Sequence, residues 1–366
     1  MKFSIERESL VDALQLVAGA VEKRQTLPVL SNVLLEVTDN TMRLTGTDLE
    51  VELSVSLNLP QVEEEGSITL PARKFLDIVK SLPNDKPIKL TLNESRVVIQ
   101  SGRSRFTLST LPAADFPHVD EGVGTMSFSL PCSVLADMID RTHFAMAQQD
   151  VRYYLNGMYF EIENKILKTV ATDGHRLAMT EYDELPADIE ASVIIPRKGM
   201  LELGRLVSGR ADEVNITLGN NHLKATVDNT RFTSKLVDGK FPDYERVVPR
   251  NSDKTIVVDR AKFKEGLQRA AILSNEKFKG VRLVIDNEGI TLFSNNPEQE
   301  EAEVHISAEV AGDTLEIGFN VQYLQDVVNS CRVEKIQLQL GDVNSSCLIQ
   351  EVEGSKALYV IMPMRL

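Results

Sequence analysis

The stretch LKTVATDGHRLAMT at 167–180 reveals how the chain is organised, because a recognisable relative of it occurs once in each third of the chain. The relatives are LTGTDLEVEL at 44–53 and LFSNNPEQEEAEV at 292–304. The shared threonines, Thr47 and Thr172, lie 125 positions apart. Self-similarity at such a domain-sized period is far longer than the repeat of a solenoid. The chain is therefore predicted to contain three copies of one unit.

A second segment repeats at a similar distance. SITLPARKFLDIV at 67–79 corresponds to SVIIPRKGMLELG at 192–204 and, less closely, to LEIGFNVQYLQDV at 315–327. Each copy is long enough to bury its own core. Turn-rich segments mark the predicted borders, and the predicted domains are 1–125, 126–253 and 254–366.

Composition and charge exclude several classes of protein. Of the 366 residues, 42% are hydrophobic and 26% are charged, and no apolar run approaches the roughly 18 residues of a membrane-spanning helix. Charges in MKFSIERESL at the N-terminus disfavour a signal peptide, and three scattered cysteines predict no disulfides. We expect a cytoplasmic protein. The net charge of −14 argues against a uniformly basic nucleic-acid binder, but not against one that segregates its charges.

Hydrophobic spacing predicts an α+β architecture. Each copy reads as two halves, and each half as a strand, an amphipathic helix and further antiparallel strands, which gives six helices and six small sheets. The helical spacing is clearest in two sets of apolar residues: Leu10, Leu14 and Val17, then Leu135, Met138 and Ile139.

Three of the predicted helices carry mixed charges opposite an apolar face. The charged residues, each set followed by the apolar residues that it opposes, are Arg73, Asp77 and Lys80 (Leu76, Val79); Lys198, Glu202 and Arg205 (Leu201); and Lys262, Glu265 and Arg269 (Phe263, Leu267). A solvated polar face is the ordinary explanation for any single helix. The recurrence of the pattern favours a shared function for these faces.

The usual catalytic signatures are missing. The sequence contains no Gly-rich phosphate loop, HExxH, CxxC pair or GxSxG elbow. Asp173 and His175 are the residues on which a nucleic-acid-processing enzyme would have to depend, and that is the alternative hypothesis. The other copies have Asp48 and Asn296 in place of the acid and glutamates in place of the histidine, so the turn does not require catalytic residues.

Four segments carry a family resemblance: TDGHRL at 172–177, FTSKLVDGKFPDYERV at 232–247, NNPEQEEAE at 295–303 and VIMPMRL at 360–366. With them the whole chain closely resembles the bacterial DNA sliding clamps, the beta subunits of DNA polymerase III. The resemblance implies three similar domains of the clamp fold. It also implies a head-to-tail dimeric ring whose central hole is lined by helices.

The implied function is that of a non-catalytic processivity factor without cofactor or metal. Such a ring encircles duplex DNA and tethers the polymerase, because a topological link makes rebinding intramolecular. The implied partners are double-stranded DNA without sequence preference, the polymerase alpha subunit, the clamp loader, and other polymerases and repair proteins with short Leu/Phe peptides. No membrane partner is expected. A repeat scaffold that binds only proteins is the remaining alternative.

Sliding on DNA requires sparse and weak phosphate contacts. The resemblance implies DNA contacts at Arg24, Arg73, Gln149, Tyr153 and Tyr154, and the helix faces add Lys80, Lys198 and Arg205. Adjacent aromatic residues in a β segment usually place one ring inward. The sequence therefore leaves open which of Tyr153 and Tyr154 faces DNA.

Helix geometry independently favours a dimer. Helices pack about 8 to 10 Å apart, so six would enclose a hole about 17 Å across and twelve a hole about 34 Å across. Only the larger hole leaves room for a duplex and water. The predicted interface joins the strand at 103–108 to an acidic run, through Arg103, Arg105, Phe106, Leu108, Ile272, Leu273, Glu298, Glu300, Glu301 and Glu303.

One pocket is predicted to recruit the protein partners. It would combine the opening stretch with the chain end, where Pro363 cannot continue a strand and leaves methionines near an apolar surface. Methionine repacks readily around different ligands. The predicted pocket residues are Leu155, Thr172, Gly174, His175, Arg176, Leu177, Pro242, Arg246, Val247, Val360, Ile361, Met362, Pro363 and Met364.

Overall fold

The computed structural model describes residues 1–21, 27–119, 124–186, 189–354 and 356–365. In these ranges the chain forms six α-helices, as the periodicity predicts. They are α1 (Arg7–Val17), α2 (Ala72–Ser81), α3 (Cys132–Thr142), α4 (Arg197–Val207), α5 (Arg260–Ala271) and α6 (Val321–Ser330).

The strands are antiparallel throughout the four sheets of the described ranges. In chain order they are β1 (Lys2–Ile5), β2 (Asn32–Thr38), β3 (Thr41–Thr47), β4 (Val51–Asn58), β5 (Gln61–Glu64), β6 (Gly66–Pro71), β7 (Ile88–Asn93), β8 (Arg96–Ser101), β9 (Ser104–Ser109), β10 (Gly124–Pro131), β11 (Gly157–Glu163), β12 (Ile166–Thr172), β13 (Arg176–Tyr182), β14 (Ala191–Pro196), β15 (Glu213–Gly219), β16 (His222–Val227), β17 (Thr230–Lys235), β18 (Lys254–Asp259), β19 (Gly280–Asp286), β20 (Gly289–Asn295), β21 (Glu301–Ser307), β22 (Glu309–Ala311), β23 (Leu315–Asn320), β24 (Lys335–Leu340), β25 (Cys347–Glu351) and β26 (Leu358–Ile361).

The prediction of six small sheets was wrong, because neighbouring copies pair their edge strands. β4 pairs with β17, and β13 pairs with β26, so four of the predicted sheets merge into two. Pairing removes exposed strand edges, which are otherwise sites of unwanted association. The sheet orders are β5-β1-β7-β8-β9, β10-β15-β16-β17-β4-β3-β2-β6, β14-β11-β12-β13-β26-β25-β24-β18-β22 and β21-β20-β19-β23.

These pairings divide the chain into two compact units that differ from the sequence repeat. Unit 1 contains residues 1–135 and 198–236, and unit 2 contains residues 136–197 and 237–366. The five- and eight-stranded sheets belong to unit 1, and the nine- and four-stranded sheets belong to unit 2. The middle copy is therefore shared between the units.

The helix cores follow the predicted spacing in most cases. Leu10, Leu14 and Val17 of α1 are buried, as are Leu135, Met138 and Ile139 of α3. On α5, Phe263 and Leu267 are fully buried, whereas Lys262, Glu265 and Arg269 are exposed. No helix within the described ranges is long and apolar enough to cross a membrane.

The polar face predicted for α4 was wrong at Glu202. Glu202 is only 7% exposed, whereas the predicted apolar residue Leu201 is half-buried. The buried stripe instead follows Met200, Leu203, Leu206 and Val207. Glu202 is accommodated because Gly19 has no side chain, since a Cβ there would lie 2.1 Å from Oε2 of Glu202.

Each of the four sheets in the described ranges ends in strands that pair on one side only, and β9 and β21 are two of these end strands. In unit 1, β9 is the last strand of its sheet and pairs with β8; in unit 2, β21 pairs with β20. The polar groups on the open side of each strand are thus available to another chain.

Candidate functional site

A tight turn at Thr172–Arg176 connects β12 to β13. The Oγ1 of Thr172 donates a hydrogen bond to the carbonyl of Arg176 at 2.6 Å and accepts one from the Gly174 amide at 3.0 Å. Oδ1 of Asp173 accepts from the amides of His175 and Arg176 at 2.9 and 3.1 Å. Gly174 has a φ of 89°, a conformation that favours glycine. The turn is therefore held by its own side chains.

The first copy contains the same turn between β3 and β4. Oγ1 of Thr47 donates to the carbonyl of Val51 at 2.9 Å, and Oδ1 of Asp48 accepts from the amides of Glu50 and Val51 at 2.9 and 2.7 Å. The Thr-Asp pair therefore has a structural role in both copies, which is the typical use of Asx hydrogen bonds.

The turn geometry disfavours the alternative of an Asp173-His175 acid-base pair. Oδ1 of Asp173 accepts two backbone hydrogen bonds, and Oδ2 accepts a third from Nε of Arg176 at 3.0 Å. Both carboxylate oxygens of Asp173 are therefore used to hold the turn and the Arg176 side chain, and within the described ranges neither is bonded to the ring of His175 as an acid-base pair would require. The His175 residue is exposed.

A cavity of about 200 Å³ opens beside this turn in unit 2. Its floor is apolar: Leu155, Leu177 and Val360 are each 2–3% exposed. Leu177 and Val360 lie opposite each other because β13 pairs with β26. Ten predicted pocket residues line the cavity: Leu155, Thr172, Gly174, His175, Arg176, Leu177, Pro242, Val247, Val360 and Met362.

Four other predicted pocket residues do not line it. Ile361 is fully buried, because strand alternation turns it to the face opposite Val360. Arg246 has an exposed side chain paired with Asp243 at 2.6 Å. Pro363 follows the end of β26, and Met364 lines a separate, wider cavity where its amide donates to the carbonyl of Gly318 at 2.9 Å.

Four lining residues were missed by the sequence analysis: Arg152, Tyr154, Asp243 and Tyr244. The guanidinium of Arg152 bonds both carboxylate oxygens of Asp150, at 3.0 and 2.9 Å, and the carbonyl of Asp173 at 3.1 Å. These bonds lower the pKa of Asp150 to about 2. Arg152 therefore stays ion-paired at the cavity edge.

The segment that supplies Pro242 and Tyr244 is anchored on the sheet. Phe241 stacks on Tyr159 with ring centroids 4.7 Å apart, and the Tyr244 hydroxyl donates to Glu161. Burial, followed by this hydrogen bond, raises the pKa of Tyr244. A sequence signal was available here, since the Phe-Pro pair at 241–242 also occurs at 116–117.

The tyrosine pair lies in a 3-10 helix, Tyr153–Leu155, and not in a strand. Tyr153 is 57% exposed, whereas Tyr154 is half-buried and lines the cavity. The rings meet edge to face at 5.8 Å. Of the two, only Tyr153 presents its ring to solvent as a DNA contact would require.

The other predicted DNA contacts differ in their exposure to solvent and in whether they already form an ion pair. Arg73 is 77% exposed, with a long contact of 4.0 Å to Asp77, and Lys80 and Gln149 are exposed. Arg205 is also exposed but bonds Glu202 at 2.6 Å. Lys198 was predicted on a solvated face. Instead, its Nζ bonds Oδ2 of Asp48 at 2.5 Å and the carbonyl of Ala20 at 3.1 Å. Arg24 lies outside the described residues.

The predicted interface residues lie on or next to the end strands β9 and β21, and directly after α5. On β9, Phe106 and Leu108 share a half-buried face, and Arg105 is exposed on the other; Arg103 precedes the strand and is exposed. Ile272 is 76% exposed and Leu273 is half-buried. The acidic residues Glu298, Glu300, Glu301 and Glu303 are all exposed.

Comparison with known families matches nearly the whole chain. Residues 1–120 match the family model for the N-terminal domain of the DNA polymerase III beta subunit, residues 129–243 the central domain, and residues 245–365 the C-terminal domain.

Individual relatives are similar over their full length. The chain is 56% identical to the beta sliding clamp of Pseudomonas aeruginosa, with 100% of both chains covered. Its structure resembles the crystal structure of the DNA polymerase III subunit beta from that organism with a TM-score of 0.96 at 55% identity, again with both chains fully covered. The Caulobacter crescentus pol III beta structure matches with a TM-score of 0.94 at 35% identity, also over 100% of both chains.

Proposed function

The chain belongs to the family of beta sliding clamps, the beta subunits of DNA polymerase III, and from that premise we propose that two copies close head to tail into a ring around duplex DNA. In this family the protein is a processivity factor and not an enzyme. The three domains would span 1–125, 126–253 and 254–366. The ring would work in the cytoplasm, at the replication machinery.

The observation that carries the recruitment part of the proposal is the cavity beside the Thr172 turn. It is apolar at its floor, is framed by rigid paired strands, and has polar groups at its edge, which are the usual features of a recognition pocket. Its volume of about 200 Å³ suits one or two apolar side chains and not a folded domain.

A short peptide with leucine and phenylalanine anchors fits this geometry. The anchors would bury against Leu155, Leu177 and Val360, and Met362, which is 41% exposed, would cover them. Arg246 at the surface would engage polar groups of the peptide. Binding energy in such sites is concentrated in a few buried anchors. The polymerase alpha subunit, the clamp loader and repair proteins would then compete for one site.

The ring itself is supported by two of the sheet-end strands, β9 and β21. β9 in one copy and β21 in the second would pair, so that a sheet continues from one chain to the other. Their charges are complementary, since Arg103 and Arg105 accompany β9 whereas Glu301 and Glu303 lie on β21. Opposite charges across an interface select the partner and the register.

We expect the protein to sediment as a dimer at micromolar concentration. Leu108→Asp should give a monomer, because it places a charge on the half-buried face of β9. Thr107→Lys, which adds a charge of the same sign as Arg105 on the exposed face of the same strand, should leave the dimer intact and is the matched control. Analytical ultracentrifugation measures both variants. Sedimentation of the unaltered protein as a monomer only would contradict the ring.

Salt should separate encirclement from direct binding. Clamp loaded on a nicked circular plasmid should stay bound in salt that strips phosphate-contacting proteins, whereas unloaded clamp on linear DNA should bind weakly and with steep salt dependence. Arg73→Glu should reduce only the direct binding. Arg73 is a better choice than Lys198, whose charge is used by Asp48.

The readout for this salt prediction is gel filtration of labelled clamp with plasmid before and after linearisation. Release on cutting the plasmid is the expected result. An identical salt slope for circular and linear DNA would show that the link is not topological.

A further inference from the structure

In each of the two Thr-Asp turns, the aspartate carboxylate forms an ion pair with a cation from elsewhere in the protein. We call these two groups of residues the Asp48 junction and the Asp173 junction. The Asp48 junction, in unit 1, consists of Asp48, Ala20 and Lys198. The carboxylate of the Thr47 turn and the carbonyl three residues after α1 converge there on the Lys198 ammonium, at 2.5 and 3.1 Å. The Asp48 side chain is only 5% exposed, and the Lys198 ammonium is its ion-pair partner there.

The Asp173 junction, in unit 2, has a guanidinium in the corresponding place. Arg176 donates from Nε to Asp173 at 3.0 Å, from Nη2 to the Phe144 carbonyl at 2.7 Å, and from Nη1 to Asp326 on α6 at 2.5 Å. Its guanidinium carbon lies 4.3 Å from the centre of the Tyr323 ring. The Arg176 side chain is only 11% exposed.

The cation comes from different elements at the two junctions. Lys198 is the second residue of α4, and the second residue of α6 is Gln322. Arg176 begins β13, and β4 begins with Val51. At the Asp48 junction the helix therefore supplies the cation and the strand supplies an apolar residue. At the Asp173 junction the strand supplies the cation, and α6 supplies the additional acid Asp326.

We propose that Arg176 is a positioning residue that holds the Thr172 turn in shape, and that it does not bind the peptide through its charge. All three guanidinium nitrogens already have acceptors within the protein. Arg176 also lines the cavity. The inference rests on the proposed peptide-binding function of the cavity, and it assigns a role in that function to Asp326, which does not line it.

The comparison of the junctions provides a rescue experiment. Arg176→Val copies Val51 and removes the cation from the strand, whereas Gln322→Lys copies Lys198 and supplies one from the helix. We expect Arg176→Val to weaken binding of a labelled Leu/Phe peptide by about tenfold or more, the order expected when hydrogen bonds to a charged group are lost. The double variant should recover to within about threefold of the unaltered protein, since the turn regains a cation.

Two further variants complete the set. Asp326→Asn should weaken the same peptide by a smaller factor, because it keeps the shape and removes the charge that orients Arg176. Gln322→Lys alone should bind like the unaltered protein. Circular dichroism establishes that each variant is folded before fluorescence anisotropy is measured.

Amide hydrogen exchange over residues 173–177 measures how well the turn is held together in the absence of peptide. Exchange should rise in Arg176→Val and fall again in the double variant, because the His175 and Arg176 amides are held by Asp173. If the turn is restored in the double variant but peptide binding is not, Arg176 contacts the peptide directly and the positioning role is wrong. Unchanged exchange in Arg176→Val would also overturn it. Failure of the unaltered protein to bind the peptide would instead refute the proposed function.

Discussion

Deletion of residues 362–366 should abolish binding of a Leu/Phe peptide and leave a folded dimer. Met362 lines the cavity and is 41% exposed, so the deletion removes its cover. The fold should survive because β26 ends at Ile361, which is fully buried and pairs with Arg176 and Cys347. Loss of a central apolar contact in a recognition site typically costs about 2 kcal/mol or more, which is at least tenfold in affinity.

Substitutions at two methionines distinguish loss of the cavity cover from a general disturbance of the chain end. Met362→Ala should weaken the peptide strongly, whereas Met364→Ala should not, because Met364 lines the other cavity. Anisotropy gives the affinities, and sedimentation shows whether the truncated protein is still a dimer. Full affinity in an intact, truncated dimer would rule out this cavity as the recruitment site.

Glu351→Ala should destabilise unit 2 by about 3–5 kcal/mol, the usual cost of removing one partner from a buried ion pair. The Glu351 side chain is fully buried, and its Oε2 accepts from Nη1 of Arg141 at 3.0 Å. Its Oε1 accepts from the Arg332 amide. Arg141 also bonds Asp137 at 2.6 Å. The network joins α3 to β25 and to the end of α6.

The cost is large because a buried guanidinium loses one of its two anions. Burial alone lowers the pKa of Arg141, but the Asp137 hydrogen bond and the charges of Asp137 and Glu351 raise it, so Arg141 stays charged. It cannot escape the penalty by losing its proton.

Glu309→Ala is the matched control for this prediction. Glu309 forms an ion pair with Lys335 at 2.9 Å in the same unit, but the two side chains are 76% and 51% exposed. Its removal should leave the unfolding midpoint unchanged, because exposed pairs are solvated and screened. Denaturant unfolding followed by circular dichroism measures both variants. Equal midpoints for Glu309→Ala and Glu351→Ala would mean that the buried network adds no stability.

Much of the architecture could be predicted from the sequence because it depends on neighbours along the chain. The spacing of Leu10, Leu14 and Val17 is a property of one helix, and the recurrence of Thr47 at Thr172 reveals the repeat. The Thr-Asp turn is also local, since its side chains bond the backbone two to four residues away. The family resemblance likewise rests on contiguous motifs.

Contacts between residues far apart in the chain could be learned from the folded structure alone. The pairing of β4 with β17 and of β13 with β26 merged predicted sheets, because a strand's pattern identifies its faces but not its neighbour. Glu202 and Lys198 were predicted to face solvent. An amphipathic pattern cannot reveal that Gly19 packs against Glu202 or that Asp48 forms an ion pair with Lys198. Tyr154, unlike Tyr153, joins the cavity because a 3-10 helix sends adjacent rings in different directions. The sequence also could not show that the Arg176 guanidinium is bound within the protein. Its acceptors in Phe144 and Asp326 lie 32 and 150 positions away and become neighbours only in the folded chain.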